Sequence, residues 1–325
     1  MIEVSFTGSL ADCLRAVNRT LSEGRTRLDE DGTSLTATGG GFRVVLEGQN
    51  FADGRAPFIE TVTVFDRGGE CLSISNINEN FGEAFEIDRG RVVDFDFRGF
   101  RKFFEGQEIN FTGSSEADNM MVRRGGLDMS GNNRVETGPQ DDKIVTGGGA
   151  DLIRAGRGND DVYAGAGNDR ARGDSGHDNM FGGAGADRLG GAAGNDNVFG
   201  EEGNDRLAGG KGDDWLNGGR GSNRMAGGEG EDCFVFTGIE DARDVVQDYE
   251  DGVDKIYLAR RAEPAAELPG GLEIERQGND YVLSFEGSKY EMILRGAARG
   301  DDPENFSVTE DDIVYRYEEE FIDLL

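Results

Sequence analysis

Apolar residues in the middle of this chain recur with a period of nine, a spacing that fits neither a helix nor a plain alternating strand. From Asp128 to Val235, twelve nine-residue units follow one another without a change of phase. Their eighth position reads Val135, Ile144, Ile153, Val162, Ala171, Met180, Leu189, Val198, Leu207, Leu216, Met225 and Phe234. Two positions earlier stands an aspartate or its amide: Asn133, Asp142, Asp151, Asp160, Asp169, Asp178, Asp187, Asp196, Asp205, Asp214, Asn223 and Asp232. The fourth position is glycine in every unit but one, where Gln140 replaces it. Six residues rich in Gly and Asp, then three around an apolar centre, predict a turn followed by a short strand. Two units then close one coil, and coils stacked about 4.8 Å apart bring each sixth position over its counterpart two units on. A flexible linker has no reason to keep an apolar residue at every ninth position.

The patterns outside the array are shorter. After Phe236, alternation at Leu272–Glu275, Tyr281–Phe285 and Tyr290–Leu294, with turns at Gly278-Asn279 and Gly287, predicts an antiparallel β cap over the last coil. Before the array, Ser9 and Asp12 form a capping box for a short helix with the face Leu10, Leu14, Val17 and Leu21, stopped at Gly24. Strand-like alternation follows at Phe42–Leu46, Thr61–Phe65, Leu72–Ile77, Val92–Phe97 and Ile109–Phe111. Gly113–Met121, with Asp118 in sixth place, reads as one degenerate unit out of phase.

The turn chemistry suits a hard cation. Calcium takes six to eight oxygen ligands, which carboxylates and peptide carbonyls supply, and glycines let carbonyls approach an ion closely. The best units, such as Gly209-Gly210-Lys211-Gly212-Asp213-Asp214-Trp215-Leu216-Asn217, fit G-G-x-G-x-D-x-U-x, with U apolar. On these residues the chain resembles the RTX (repeats-in-toxin) family of calcium-binding proteins. Asp244-Val245-Val246-Gln247-Asp248-Tyr249 and Gly252-Val253-Asp254-Lys255-Ile256-Tyr257-Leu258 are similar to the segment that closes the roll in serralysin-type C-terminal domains. The resemblance implies an all-β fold: a parallel β-roll (an RTX β-solenoid) with a β-rich N-terminal domain and an antiparallel β C-terminal cap. The expected divisions are 1–108, 109–236 and 237–325. It further implies calcium ions between turns, shared by the pairs Asp142/Asp160, Asp151/Asp169, Asp160/Asp178, Asp169/Asp187, Asp178/Asp196, Asp187/Asp205, Asp196/Asp214 and Asp214/Asp232. Sites that use the uncharged Asn133 or Asn223 are expected to be weaker or empty.

A formal net charge of −31 repels nucleic acid and suits a chain that stays extended until a cation neutralises it. Met1-Ile2-Glu3-Val4-Ser5-Phe6 has no signal-peptide character, and no stretch is apolar enough for a transmembrane segment. The family's usual route is a type I exporter that reads an uncleaved C-terminal signal. The acidic-then-apolar tail Tyr315-Arg316-Tyr317-Glu318-Glu319-Glu320-Phe321-Ile322-Asp323-Leu324-Leu325 resembles such a signal. The expected location is therefore secreted, at or near a cell surface. Cys13, Cys71 and Cys233 are an odd number and define no disulfide framework; Cys233 reads as an inert thiol or an intermolecular link.

The residues for an enzyme are scarce. His177 is the single histidine, so H-E-x-x-H zinc chemistry is absent. Gly173-Asp174-Ser175-Gly176 spells the nucleophile motif of chymotrypsin-like proteases, but it falls in phase as the first four positions of a turn. No G-x-S-x-G elbow is present, while a carboxylate pair among the 65 acidic residues leaves a glycosidase-type site in the N-terminal segment open. The expectation is no catalysis.

Residues two units apart share an outer face, which gives two ladders. One reads Arg134, Leu152, Arg170, Arg188, Arg206 and Arg224, with Arg154 and Arg172 beside it; the other reads Val145, Tyr163, Phe181, Phe199, Asn217 and Val235, flanked by Asn179, Asn197 and Trp215. Stacked like charges and an in-line aromatic patch both invite cover. Two readings follow: cover from within the molecule or a second protomer, or an arginine face for an acidic polysaccharide, as RTX modules of alginate epimerases contact their polymer. A membrane-active factor would need an amphipathic apolar segment, and none is evident.

Overall fold

The computed structural model describes residues 2–6, 20–21, 25–28, 33–39, 41–49, 58–65, 70–75, 79–80, 85–88, 91–95, 109–112, 130–236, 242–260, 272–285, 289, 291–295 and 313–317. The chain divides into two compact units, Met1–Gly156 and Arg157–Leu325.

In the first unit an antiparallel meander joins Arg25–Leu28, Ser34–Gly39, Phe42–Gln49, Phe58–Phe65 and Glu70–Ser75 in sequence order. Strict alternation puts Leu35, Ala37, Val44, Leu46, Val62, Val64, Leu72 and Ile74 on its buried face. Ile2–Phe6 then lies antiparallel to Glu70–Ser75 on one side and parallel to Ile109–Thr112 on the other. Ile109–Thr112 continues in parallel to Arg134–Glu136, and that strand to Leu152–Arg157. The first coils of the roll are thus rungs of the same sheet as the meander, so the edge of that face is paired rather than bare. Of the expected helix only Thr20 and Leu21 are described; both are helical and buried. The degenerate unit at Gly113–Met121 lies outside the described residues.

The second unit carries the two faces of a parallel roll. One face stacks Asp161–Ala166, Asn179–Ala184, Asn197–Glu202, Trp215–Asn217, Cys233–Phe236, Lys255–Arg260 and Ile313–Tyr317. The other stacks Arg170–Ser175, Arg188–Ala193, Arg206–Lys211, Arg224–Glu229, Arg243–Val246 and Glu291–Leu294, all parallel. Most of these strands run six residues, longer than the three expected, because the turn backbones stack as well. Gly167 N–H donates to Ala184 O at 2.7 Å and Gly176 N–H to Ala193 O at 2.9 Å. The eighth-position residues Val162 to Phe234 form the core between the faces and are at most 3% exposed.

Beyond the array the expected alternation forms antiparallel strands, Leu272–Gln277, Asp280–Phe285 and Glu291–Leu294, with Gly278 at φ 70 in the tight turn. Two parallel rungs join them that alternation did not show: Glu291–Leu294 on Arg243–Val246, and Ile313–Tyr317 on Lys255–Arg260. Tyr315, Arg316 and Tyr317 of the proposed export tail therefore belong to a rung; residues 318–325 lie outside the described residues. Among the described residues no helix is long and apolar enough to cross a membrane.

Candidate metal centre

Each sixth-position aspartate sits at the end of a turn, immediately before its strand, and is drawn inside. Asp142, Asp151, Asp160, Asp169, Asp178, Asp187, Asp196, Asp205, Asp214 and Asp232 are all buried, none more than 3% exposed. One carboxylate oxygen has a fixed partner. The N–H of Asp160 donates to Oδ1 of Asp178 at 2.9 Å, Asp178 N–H to Asp196 at 2.9 Å, and Asp214 N–H to Asp232 at 2.9 Å. The alternate column repeats this, with Asp169 N–H to Asp187 and Asp187 N–H to Asp205, both at 2.8 Å. In the first unit Asn133 N–H donates to Asp151 Oδ1 at 2.6 Å.

The second oxygen is different. Oδ2 of Asp178, Asp187, Asp196, Asp205 and Asp214 is buried without a hydrogen-bond partner. Each projects toward the first-position glycine of its own turn: a Cβ built on Gly191 would lie 2.0 Å from Asp196 Oδ2. Backbone carbonyls converge on the same space. A Cβ on Gly182 would lie 2.5 Å from Asp187 Oδ2 and 2.8 Å from Gly200 O, and one on Gly200 would lie 2.4 Å from Asp205 Oδ2 and 2.6 Å from Gly218 O. Only a hydrogen at these first positions leaves the cradle open.

Burial makes these carboxylates poor anions on their own. It pushes Asp178, Asp187 and Asp205 up to about 6 and Asp214 to about 7, with neighbouring acids adding to the rise. Asp196 and Asp232 are raised for the same first reason. A buried oxygen without a donor, beside carbonyl oxygens and disfavoured as a bare anion, fits a hard divalent cation. No three His, Cys, Asp or Glu side chains converge on one point among the described residues. With carboxylates spaced one per turn, backbone carbonyls must complete the oxygen set.

The periodic reading missed three acids beyond the array. Asp244 Oδ1 accepts from Asn223 N–H at 2.8 Å, Asp254 Oδ1 from Asp232 N–H at 3.1 Å, and Asp248 Oδ1 from Gly227 N–H at 3.0 Å. Asp244 and Asp254 are 3% and 2% exposed. Their offsets from their partners are 21 and 22 residues rather than 18, so they fall out of phase while continuing both columns. Asn223 keeps half of the pattern. Its Oδ1 accepts from Asp205 N–H at 2.9 Å, but its Nδ2 stands where the other units place Oδ2.

His177 and Ser175 both lie within the stacked coils. His177 Nδ1 accepts from Asn195 N–H at 2.8 Å, as Asn159 Oδ1 accepts from His177 N–H. The ring thus serves as a fifth-position side chain that ties one turn to the next. Ser175 ends a stacked strand, preceded by Asp174 at φ 75. Cys233 is a free, partly buried thiol held up to about 11 by burial, which favours its protonated form. Cys13 lies outside the described residues.

Both outward ladders are in register. Arg170, Arg188, Arg206 and Arg224 face one another on consecutive rungs, exposed and without an ion pair among the described residues. Arg172 pairs with Asp174 at 3.1 Å. On the opposite face Tyr163 stacks on Phe181 at 4.8 Å and Phe181 on Phe199 at 5.1 Å, with planes 5° and 6° apart. Phe181 is thus covered by a ring on each face.

The sequence matches the family model for the RTX calcium-binding nonapeptide repeat at residues 129–162, 163–198 and 199–232. Among solved structures, extracellular lipase LipA from Serratia marcescens aligns at 15% identity and TM-score 0.30, over 64% of this chain and 40% of the lipase. The AlgE6R3 subunit of the Azotobacter vinelandii mannuronan C5-epimerase aligns at 23% identity and TM-score 0.21, over 42% of this chain and 76% of that one. No curated protein matches the chain. Residues 129–232 thus carry repeats that match the RTX calcium-binding nonapeptide, a unit whose cation is calcium.

Proposed function

We propose that this is a noncatalytic secreted protein whose roll folds when calcium is available outside the cell, and which then works as a structural or interaction module at the cell surface. The observation that carries this reading is the column of buried aspartates with Oδ1 given to the neighbouring coil and Oδ2 left facing a glycine cradle. The proposed ligands are Oδ2 of Asp142, Asp151, Asp160, Asp169, Asp178, Asp187, Asp196, Asp205, Asp214 and Asp232, with turn carbonyls. Asp244 and Asp254 extend both columns. Bound calcium supplies the positive charge that these desolvated carboxylates otherwise lack. Low cytosolic calcium would keep the chain threadable for a type I exporter reading its C-terminal tail. On this reading 1–108 is an N-terminal cap, 109–236 the roll, and 237–325 the C-terminal cap with the export signal. Circular dichroism of the full chain during calcium titration tests the proposal; a chelated sample with its full β signal would end it.

A second reading rests on the arginine rungs, which stand in register and without an ion pair among the described residues. Such a face fits an acidic polysaccharide. Retention on an acidic-polysaccharide column should fall in the triple variant Arg170→Gln, Arg188→Gln, Arg206→Gln. Equal retention of variant and wild type in calcium would dismiss this reading.

A further inference from the structure

The arginine column ends in a cleft. Arg206 faces Arg224, Arg224 faces Val245, and Val245 faces Ile293 on consecutive rungs, so the outward column turns from charged to apolar at the C-terminal cap. Arg243 and Arg295 rise beside these apolar residues and, with Arg206 and Arg224, wall a cavity of about 460 Å³. That volume lies within the roughly 300–1,000 Å³ of small-molecule sites.

The four guanidinium groups are not equivalent. Arg243 is held in place by Glu291, whose Oε2 accepts from its Nε at 2.8 Å and from its Nη2, and its N–H donates to Ser222 Oγ at 3.1 Å. Arg206, Arg224 and Arg295 make no ion pair among the described residues. Arg206 and Arg224 stand on adjacent rungs, about 4.8 Å apart along the backbone. Like charges at that spacing repel unless an anion lies between them, and guanidinium groups bind carboxylate and sulfate oxygens in pairs. Val245 is 8% exposed and Ile293 partly exposed, giving the cavity an apolar wall suited to the C–H face of a sugar ring.

We propose that this cleft is a subsite for one carboxylate- or sulfate-bearing sugar of an acidic glycan, its ring against Val245 and Ile293 and its anionic group held by Arg206, Arg224 and Arg295. The assignment rests on the polysaccharide reading of the arginine column and gives it an anchoring end.

The test is calorimetric titration of the calcium-loaded full chain with a hyaluronan tetrasaccharide, a heparin-type tetrasaccharide and inorganic phosphate. Saturable 1:1 binding of a tetrasaccharide is expected, weakened about tenfold or more in Arg224→Gln/Arg295→Gln and unchanged in Arg220→Gln, whose side chain lies outside the column and pairs with Glu202. The carboxylated and sulfated probes tell which anionic group the cleft takes. Absence of saturable binding, equal loss in both variants, or phosphate binding as tightly as either sugar would overturn the proposal. If the polymer column retains the protein through Arg170 and Arg188 while no tetrasaccharide binds, the cleft falls and the column reading stands. If a tetrasaccharide binds but polymer retention ignores Arg170 and Arg188, the reverse holds.

Discussion

The backbone N–H of Asp196 donates to Oδ1 of Asp214 at 2.8 Å across 18 residues of sequence, while Oδ2 of the same Asp214 is buried with no donor. One carboxylate therefore has two separable oxygens: Oδ1 fastens a coil to the coil before it, and Oδ2 is left for the proposed calcium ion.

Asn223 shows how to separate them, since its amide keeps the first contact and replaces the second oxygen with nitrogen. Asp214→Asn should lower the number of calcium ions bound while leaving the calcium-loaded roll folded. Asp214→Ala should do the same and also orphan the Asp196 N–H, costing about 1–3 kcal/mol more in denaturant unfolding. Conversely, Asn223→Asp should raise the calcium stoichiometry. Calorimetric counts identical across wild type, Asp214→Asn and Asn223→Asp would refute the division of labour.

Gly191 and Gly190 are neighbours with opposite tolerance. A Cβ on Gly191 would sit 2.0 Å from Asp196 Oδ2, whereas one on Gly190 would meet nothing closer than Ala208 O at 3.9 Å. Gly191→Ala should weaken calcium binding and raise the calcium needed for folding, and Gly190→Ala should change neither. The midpoints of two calcium-driven folding curves decide it.

Acidity should act in opposite directions with and without calcium. In the metal-free roll, burial lifts Asp178, Asp187 and Asp205 to about 6 and Asp214 to about 7, above the ordinary carboxylate range. The folded form thus holds these protons more tightly than the unfolded chain. Its advantage is full at low pH and is lost as pH rises through about 6 to 7. Calcium-free protein should accordingly keep more β signal at about pH 5 than at about pH 8. Apparent calcium affinity should fall over the same interval as protons compete for the carboxylates. A metal-free β signal that grew with pH would contradict both.

Ala192 holds φ 90 at the second position of its turn, where Gly183 and Gly210 hold φ 100 and 125. A left-handed alanine costs roughly 1–2 kcal/mol, offset by roughly 0.4–1 kcal/mol from glycine's greater unfolded freedom. Ala192→Gly should therefore stabilise the calcium-loaded roll by about 0.5–1 kcal/mol, read as a higher denaturant midpoint at saturating calcium.

The sequence made the roll legible because a strict period repeats the same local physics in every unit. Asp178 and Val198 can be placed from spacing alone, and the structure buries both. The misses fall where that period changes or never existed. Asp244 and Asp254 were hidden by offsets of 21 and 22 residues. The parallel joining of Ile2–Phe6 to Ile109–Thr112 is a pairing between distant segments that alternation cannot reveal. Strand length was underestimated because alternation marks only residues with buried side chains, while the glycine turns pair through backbone alone. The aromatic face looked open in the sequence; in three dimensions Phe181 is sandwiched between Tyr163 and Phe199.

The last rung has a kinetic meaning. Within the roll each new coil needs only its immediate predecessor, so assembly can zip forward through short loops of constant entropic cost. The strand Ile313–Tyr317 must instead return to Lys255–Arg260 across a far longer span that contains the Leu272–Phe285 hairpin. Closure of that end is thus a non-local event, as is the pairing of Ile2–Phe6 with Ile109–Thr112, and a chain emerging with its carboxyl terminus first would have to wait for Lys255–Arg260 before its leading strand found a partner.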